Sequence, residues 1–250
     1  MNYGINIKYI DNIAVIELNY NKSNAINLEF VKDYMAIYSQ LNKNQPIIIK
    51  GNNNFFSSGL DLVYTQSLNL LEMRNFISQF QDLLLFSINH NAPVVSILTG
   101  HVVAGGFLLA SSTDARFGNV KDFYVGMNET VLGISLPPAP IIILNTLYGN
   151  NTSKILGAKS FYKPKQMVDL QFFNSLNIDP MYHAIQFIHD VIDEDKFYEE
   201  KLVRKNIINK YMTENSEHVL DIFLKDWFAE SSILKRNNVI QSIKNKRSRN

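Results

Sequence analysis

The stretch Gly126 to Pro138, "GMNETVLGISLPP", contains Glu129, the only formally charged residue between Asp122 and Lys154. A carboxylate among apolar neighbours must be paired, hydrogen-bonded or shifted in pKa, because losing its water costs several kcal/mol (order of magnitude). Two other segments, "SSGLD" near residue 60 and "AGGF" near residue 105, place glycine where a strand hands over to a helix. The first N–H groups of a helix have no partner within it, and glycine lets another chain or a ligand approach them closely. One acid beside two such turns makes a base and an anion-stabilising pocket, the equipment of enolate chemistry. Removing a proton α to a thioester builds charge on the carbonyl oxygen, and each preorganised donor aimed there is worth about 3 kcal/mol. Spacing alone does not bring the three segments together.

Each of these residues also has a plainer reading. Glu129 could be a surface carboxylate or a helix-starting charge, and Gly105 and Gly106 could serve packing alone. Asp61 reads more readily as a charge at a helix start than as a catalyst. The side chain of Leu60 reads as core, leaving its backbone as the functional candidate. Asp114, closing "LLASSTD", reads as a structural hydrogen-bonding residue, and His101 as a satisfied structural histidine. The remaining histidines lack metal-ligand spacing, so no metal site is expected.

Alternating "INIKYI" and "IAVIEL" around Asp11-Asn12 predict a hairpin, and "NLEFVKDYMAIYSQLN" predicts a helix capped by Asn27. "PIIIKG" and "PVVSILT" are buried strands ending at glycine, "NNNFFSSGLDL" a loop opening a helix, and Leu70 to Ile88 a long amphipathic helix. "AGGFLLASSTD" is a helix entered through Gly105-Gly106 and followed by a short strand "ARFG". The recurring order predicts an α/β fold with short crossovers. Beyond about residue 180 the pattern is helical, in three segments: "YHAIQFIHDVI", "FYEEKLVRKNIINKYM" and "EHVLDIFLKDWFAESSILKRNNVIQSI".

The 250 residues carry 24 basic and 23 acidic side chains, a formal charge of +1, so no global field points to nucleic acid or a membrane surface. Cysteine is absent, which excludes disulfides and thiol nucleophiles. The N-terminus lacks signal-peptide and transit-peptide features, and no apolar run reaches the roughly 20 residues of a membrane span. A cytoplasmic protein is expected.

"FFSSGLDL", "GHVVAGGFLLASSTDARFG" and "FYVGMNETVLGI" resemble, in order and separation, the three motif blocks of the crotonase superfamily, the enoyl-CoA hydratase/isomerase family. The likeness covers roughly residues 5 to 170, and "LNYNKSNAIN" resembles that family's first CoA-contacting loop. It implies a spiral of ββα units, with residues 1-180 as the core domain and 181-250 as a helical C-terminal oligomerisation segment. It implies an oxyanion hole from the N–H groups of Leu60 and Gly105, and Glu129 as acid/base. Ala25, Ser58, Gly59, Asp61, Gly106 and Asn128 would touch the substrate, and Lys244 or Lys246 the CoA phosphates.

The Asn-Glu pair and "GLDL" look most like the Δ3,Δ2-enoyl-CoA isomerase branch, and Leu108 stands where family hydratases carry a second glutamate. The implied partner is an acyl-CoA or acyl-carrier-protein thioester, as substrate and without a further cofactor, and the implied assembly a homotrimer or dimer of trimers. "VDLQFFNSL", Val168 to Leu176, departs from the family's Gly-Leu-Val-Asp pattern, and "SLPPAPIII" is unusually proline-rich. A decarboxylase or dehydratase acting on a carrier-bound acyl group, and a non-catalytic acyl-CoA-binding subunit, are the alternatives.

Overall fold

The computed structural model describes residues 4–247. Strands β1 (Gly4–Ile10) and β2 (Ile13–Asn19) pair antiparallel with Ile10 opposite Ile13. Asp11 and Asn12 take φ of 46° and 63° in the two-residue turn, a conformation that short polar side chains tolerate. Helix α1 (Leu28–Tyr38) follows, capped by the Asn27 side chain accepting from Phe30 N, and it buries Phe30, Val31, Tyr34 and Tyr38.

From there the chain repeats one unit, a strand of a large sheet, a strand of a small sheet and a helix. The first turn is β3 (Ile47–Lys50), β4 (Phe55–Ser57), α2 (Leu62–Gln66) and α3 (Leu70–Asn89). The second is β5 (Val94–Leu98), β6 (His101–Val103) and α4 (Gly105–Ser111). The third is β7 (Ala115–Asn119), β8 (Val125–Gly126), α5 (Glu129–Leu132) and α6 (Pro138–Tyr148). Helices α7 (Asn151–Leu156) and α8 (Pro164–Asp169), strand β9 (Ser175–Asn177) and helices α9 (Pro180–Val191), α10 (Asp195–Phe228) and α11 (Glu230–Arg247) complete it.

The large sheet runs β1-β2-β3-β5-β7-β9, parallel apart from the first pair. The small sheet runs β4-β6-β8, all parallel. Both faces of the large sheet are covered. Ile13, Val15, Ile48, Val95 and Ile97 meet Ala184 and Ile188 of α9, while Ile16, Ile47, Ile49 and Leu98 join the larger core with α1, α3 and α6. Continuous β-branched runs such as "PIIIKG" are what two-sided burial demands.

Two sequence expectations change. "NNNFFSSGLDL" is not only a loop, since Phe55–Ser57 is a strand of the small sheet. The second predicted C-terminal helix and the first part of the third are one helix of 34 residues, α10, ending at Ala229, whose φ and ψ of −63° and 137° are extended. That helix is locked to the sheet by charge: the buried Asp114 carboxylate accepts from Val94 N at 2.8 Å and pairs with Lys201 and Arg204. Lys201 also donates to Ala92 O at 3.0 Å. Asp114 is therefore the structural residue the sequence implied. No described helix is long and apolar enough to cross a membrane.

Candidate active site

The three small-sheet strands run parallel, so their C-terminal ends lie together, the usual place for a site in α/β sheets. Those ends deliver the three candidate segments. Strand β4 stops at Ser57 and leads to Leu60, β6 stops at Val103 before Gly105, and β8 stops at Gly126 before Glu129. Val103 is paired with Gly126, and Ala104 N donates to Gly126 O at 2.9 Å, fixing the second segment against the third.

The first and second segments touch. A Cβ added to Gly59 would lie 2.7 Å from Gly105 N, and one added to Gly105 would lie 3.3 Å from Leu60 N. Gly59 also has φ +85°, where a side chain is strained. Ala104, just before Gly105, has φ 51° and ψ −126°, a sparsely populated conformation for a residue with a Cβ that persists only where its surroundings impose it. Among the described residues, neither Leu60 N nor Gly105 N has a main-chain acceptor. Two donors that elsewhere would be satisfied are thus left open side by side.

Sequence reasoning missed what holds the first loop. Asn24, wholly buried with φ 48°, donates its amide to Leu18 O, Phe55 O and Phe56 O, and accepts from Tyr20 N. Ser57 Oγ donates to Asn24 O at 2.7 Å and accepts from Gly59 N at 3.1 Å. Main-chain bonds from Ile26 N to Gly59 O and from Asp61 N to Ile26 O, both 2.8 Å, complete the clamp. An asparagine between "NKS" and "AIN" gives no periodic signal, and only its left-handed backbone could have marked it.

Glu129 is the first residue of α5 and is 9% exposed. Burial pushes its carboxyl up to about 7, against the opposing pull of its own N–H and that of Asn128, which donates to Oε2 at 2.8 Å. No charged side chain contributes to the shift. Desolvation alone therefore makes a carboxyl group that exchanges its proton near neutrality.

A cleft of about 520 Å³ opens beside Leu60, lined also by Ala25, Ser58, Asp61 and Ile240 of α11. Asp61 lines it while its Oδ1 accepts from Val63 N and Tyr64 N, so its carboxylate is the cap of α2. Gly106 does not face the cleft: a Cβ there would meet Ser57 O at 2.4 Å, so this glycine serves the contact of α4 with β4. Asn128 contributes its N–H to Glu129, and its side chain makes no cap bond. His101 accepts from Tyr124 N at 2.9 Å and stacks on that ring, the structural role expected. The side chains of Lys244 and Lys246 lie outside the described residues.

A family model described as enoyl-CoA hydratase/isomerase matches residues 9–147, more than half of the chain. The chain belongs to that family. It is 28% identical over 130 residues to enoyl-CoA delta isomerase 1, mitochondrial, of Rattus norvegicus, covering 50% of this chain and 45% of that one. Over 102 residues it is 29% identical to enoyl-CoA delta isomerase 3 of Arabidopsis thaliana, 40% of this chain and 43% of that one. The chain thus spans less than half the length of these two relatives. Human mitochondrial delta3-delta2-enoyl-CoA isomerase superposes with a TM-score of 0.88 at 19% identity, over 97% of this chain and 98% of that one. The fold is the crotonase fold of this family, a spiral of ββα turns with a helical C-terminal segment.

Proposed function

We propose that this family member is an enoyl thioester isomerase, moving the double bond of a 3-enoyl-CoA to the 2-position. The observation that carries the reading is Glu129. It is a buried acid with no charge acting on it and a pKa near 7, set at the end of the sheet that presents two main-chain donors without acceptors among the described residues. The names of the relatives support the same reaction.

In this mechanism the N–H groups of Leu60 and Gly105 hold the thioester oxygen. The Glu129 carboxylate takes a proton from C2, and the C–H electron pair moves into the C1–C2 bond, leaving the charge of a dienolate on that oxygen. The oxygen then re-forms its carbonyl, the double bond settles between C2 and C3, and C4 takes the proton back from the Glu129 carboxylic acid. One proton has moved from C2 to C4 and the Glu129 carboxylate is regenerated. Each donor is asked for about 3 kcal/mol. A base with a pKa near working pH is best matched to taking and returning the same proton.

Leu108, 4% exposed on α4, supports isomerisation over hydration. Water addition calls for a group that activates water, and this apolar side chain offers none at the position where the family resemblance puts a second glutamate. The trimer that the resemblance implies is part of this proposal, and light scattering giving the mass of three chains would support it. The direct test is to mix the protein with 3-hexenoyl-CoA and follow the conjugated 2-enoyl product by absorbance. The wild type should turn over and Glu129→Gln should lose about 10³-fold. A wild type that binds the thioester but does not convert it would replace this reading by that of a binding subunit.

A further inference from the structure

The helix that begins with the proposed base is too short to hold itself. α5 has four residues, Glu129–Leu132, and Asn128 gives it no side-chain cap. A single turn does not stand alone in water, so its place is set from outside. It closes at Gly133, with φ 71° and ψ 31°, where the next amide, Ile134 N, turns back to donate to Glu129 O at 3.2 Å. The carbonyl of that same Gly133–Ile134 peptide accepts from Ser232 Oγ of α11 at 2.7 Å. One peptide unit thus joins Ser232 to the main chain of Glu129, and hydrogen bonds chained through a peptide strengthen each other.

Ser232 is 2% exposed and has no part in the proposed mechanism. A helical serine can satisfy its hydroxyl on a carbonyl of its own preceding turn, whereas this one bonds a residue 99 positions away. The Lys235 side chain lies over Gly133, where a Cβ would come 2.7 Å from its Nζ, so α11 approaches this corner only because it is glycine. Farther along, α11 meets the oxyanion side. Asn237 accepts from Gln66 of α2, the helix capped by Asp61, and Ile240 lines the cleft with Leu60. At a rise of about 1.5 Å per residue, Ser232 and Ile240 stand about 12 Å apart along the helix. Arg236 fixes the corner with α10, its guanidinium 4.0 Å from the Trp227 ring centroid and its Nη2 donating to Trp227 O at 2.7 Å.

We propose that Ser232 is a positioning residue for Glu129, acting through the Gly133–Ile134 peptide, and that α11 sets the separation between the base and the two main-chain donors. The inference rests on the isomerase reading above for its effect on rate. A misplacement of about 1 Å arising away from the chemistry can cost about 10²-fold. Without the hydroxyl, the Gly133 carbonyl loses its partner and α5 shifts toward water. Water that reaches this turn also reaches the Glu129 carboxyl, whose pKa is raised by desolvation, so the same change lowers it.

Two measurements on the intact protein test this: steady-state turnover of 3-hexenoyl-CoA, and a carbon-13 NMR titration of the Glu129 carboxyl, its resonance identified by its absence in Glu129→Gln. Ser232→Ala should lose about tenfold or more in kcat with KM within about twofold, and its Glu129 pKa should fall below the wild-type value. Ser232→Thr, which keeps a hydroxyl, should restore kcat to within about threefold of wild type. Wild-type kcat, or a wild-type Glu129 titration, in a folded Ser232→Ala would overturn the proposal, and a lower melting temperature alone would make the serine purely structural. Should Ser232→Ala not fold, Ser232→Cys, nearly the same size and only a weak donor, takes its place under the same criteria. If the wild type does not convert the thioester, the isomerase reading falls by itself. The titration then decides the positioning role, which a lowered Glu129 pKa in Ser232→Ala upholds and an unchanged one overturns.

Discussion

The main-chain N–H of Asn128 donates to Oε2 of Glu129 at 2.8 Å, so the only bond drawing charge onto this buried carboxylate from a neighbouring residue is a neutral amide. Burial outweighs it and holds the pKa near 7, against an ordinary 4.5. The folded protein then binds a proton at Glu129 that the unfolded chain releases, throughout the window between those values. Stability must fall as pH rises across that window, by up to about 3 kcal/mol. Thermal melts of wild type and Glu129→Gln from pH 4.5 to 8 should diverge, with the variant relatively more stable at the alkaline end.

The same shift fixes the sign of the activity profile. In the proposed mechanism the base is the carboxylate, so kcat/KM should rise with pH through an inflection near 7. A profile already flat from pH 5 would mean that the ionised form is not desolvated as the structure has it.

Gly59→Ala should be among the most damaging small substitutions. It forces a side chain onto φ +85° and drives a Cβ to 2.7 Å from Gly105 N, spreading the paired donors. Steady-state assays should give a loss in kcat of about 10²-fold or more, with KM changed less, as expected for donors that act on developing charge.

How much of this was legible beforehand follows from chain length and period. The hairpin, the Asn27 cap and the long helix α3 were readable because each shows several repeats of its own period. Strands β4, β6 and β8 have two or three residues, too few for any pattern, so the small sheet that gathers the site was invisible. Glu129, Leu60 and Gly105 were singled out as candidates, one by isolation of charge and two by glycine at a strand end, and only the family resemblance suggested that they converge. Asn24 and Ser57 were not, because their importance lies in partners 31 or more residues away.

Ser57→Ala removes the hydroxyl that joins Asn24 O to Gly59 N. Leaving those buried groups unpaired should cost about 1–3 kcal/mol of stability, measurable by urea unfolding. Because the loop it releases carries Leu60 N, kcat should fall even where the variant remains folded. Unchanged kcat would make Ser57 purely structural.

Leu108 leads to a negative expectation that is easily checked. With an apolar side chain at 4% exposure on α4, the protein should not hydrate 2-butenoyl-CoA at a rate approaching the proposed isomerase turnover. Rapid loss of the conjugated absorbance with formation of 3-hydroxybutanoyl-CoA would show that one carboxylate suffices to activate water.

The central claim concerns where one oxygen and one carbon sit, and a crystal structure with a saturated acyl-CoA measures both. The account predicts the thioester oxygen within about 3 Å of both Leu60 N and Gly105 N, with a Glu129 carboxyl oxygen about 3–3.5 Å from C2. A thioester bound elsewhere in the cleft, or a Glu129 carboxyl remote from C2 while the oxygen occupies the paired amides, would contradict it.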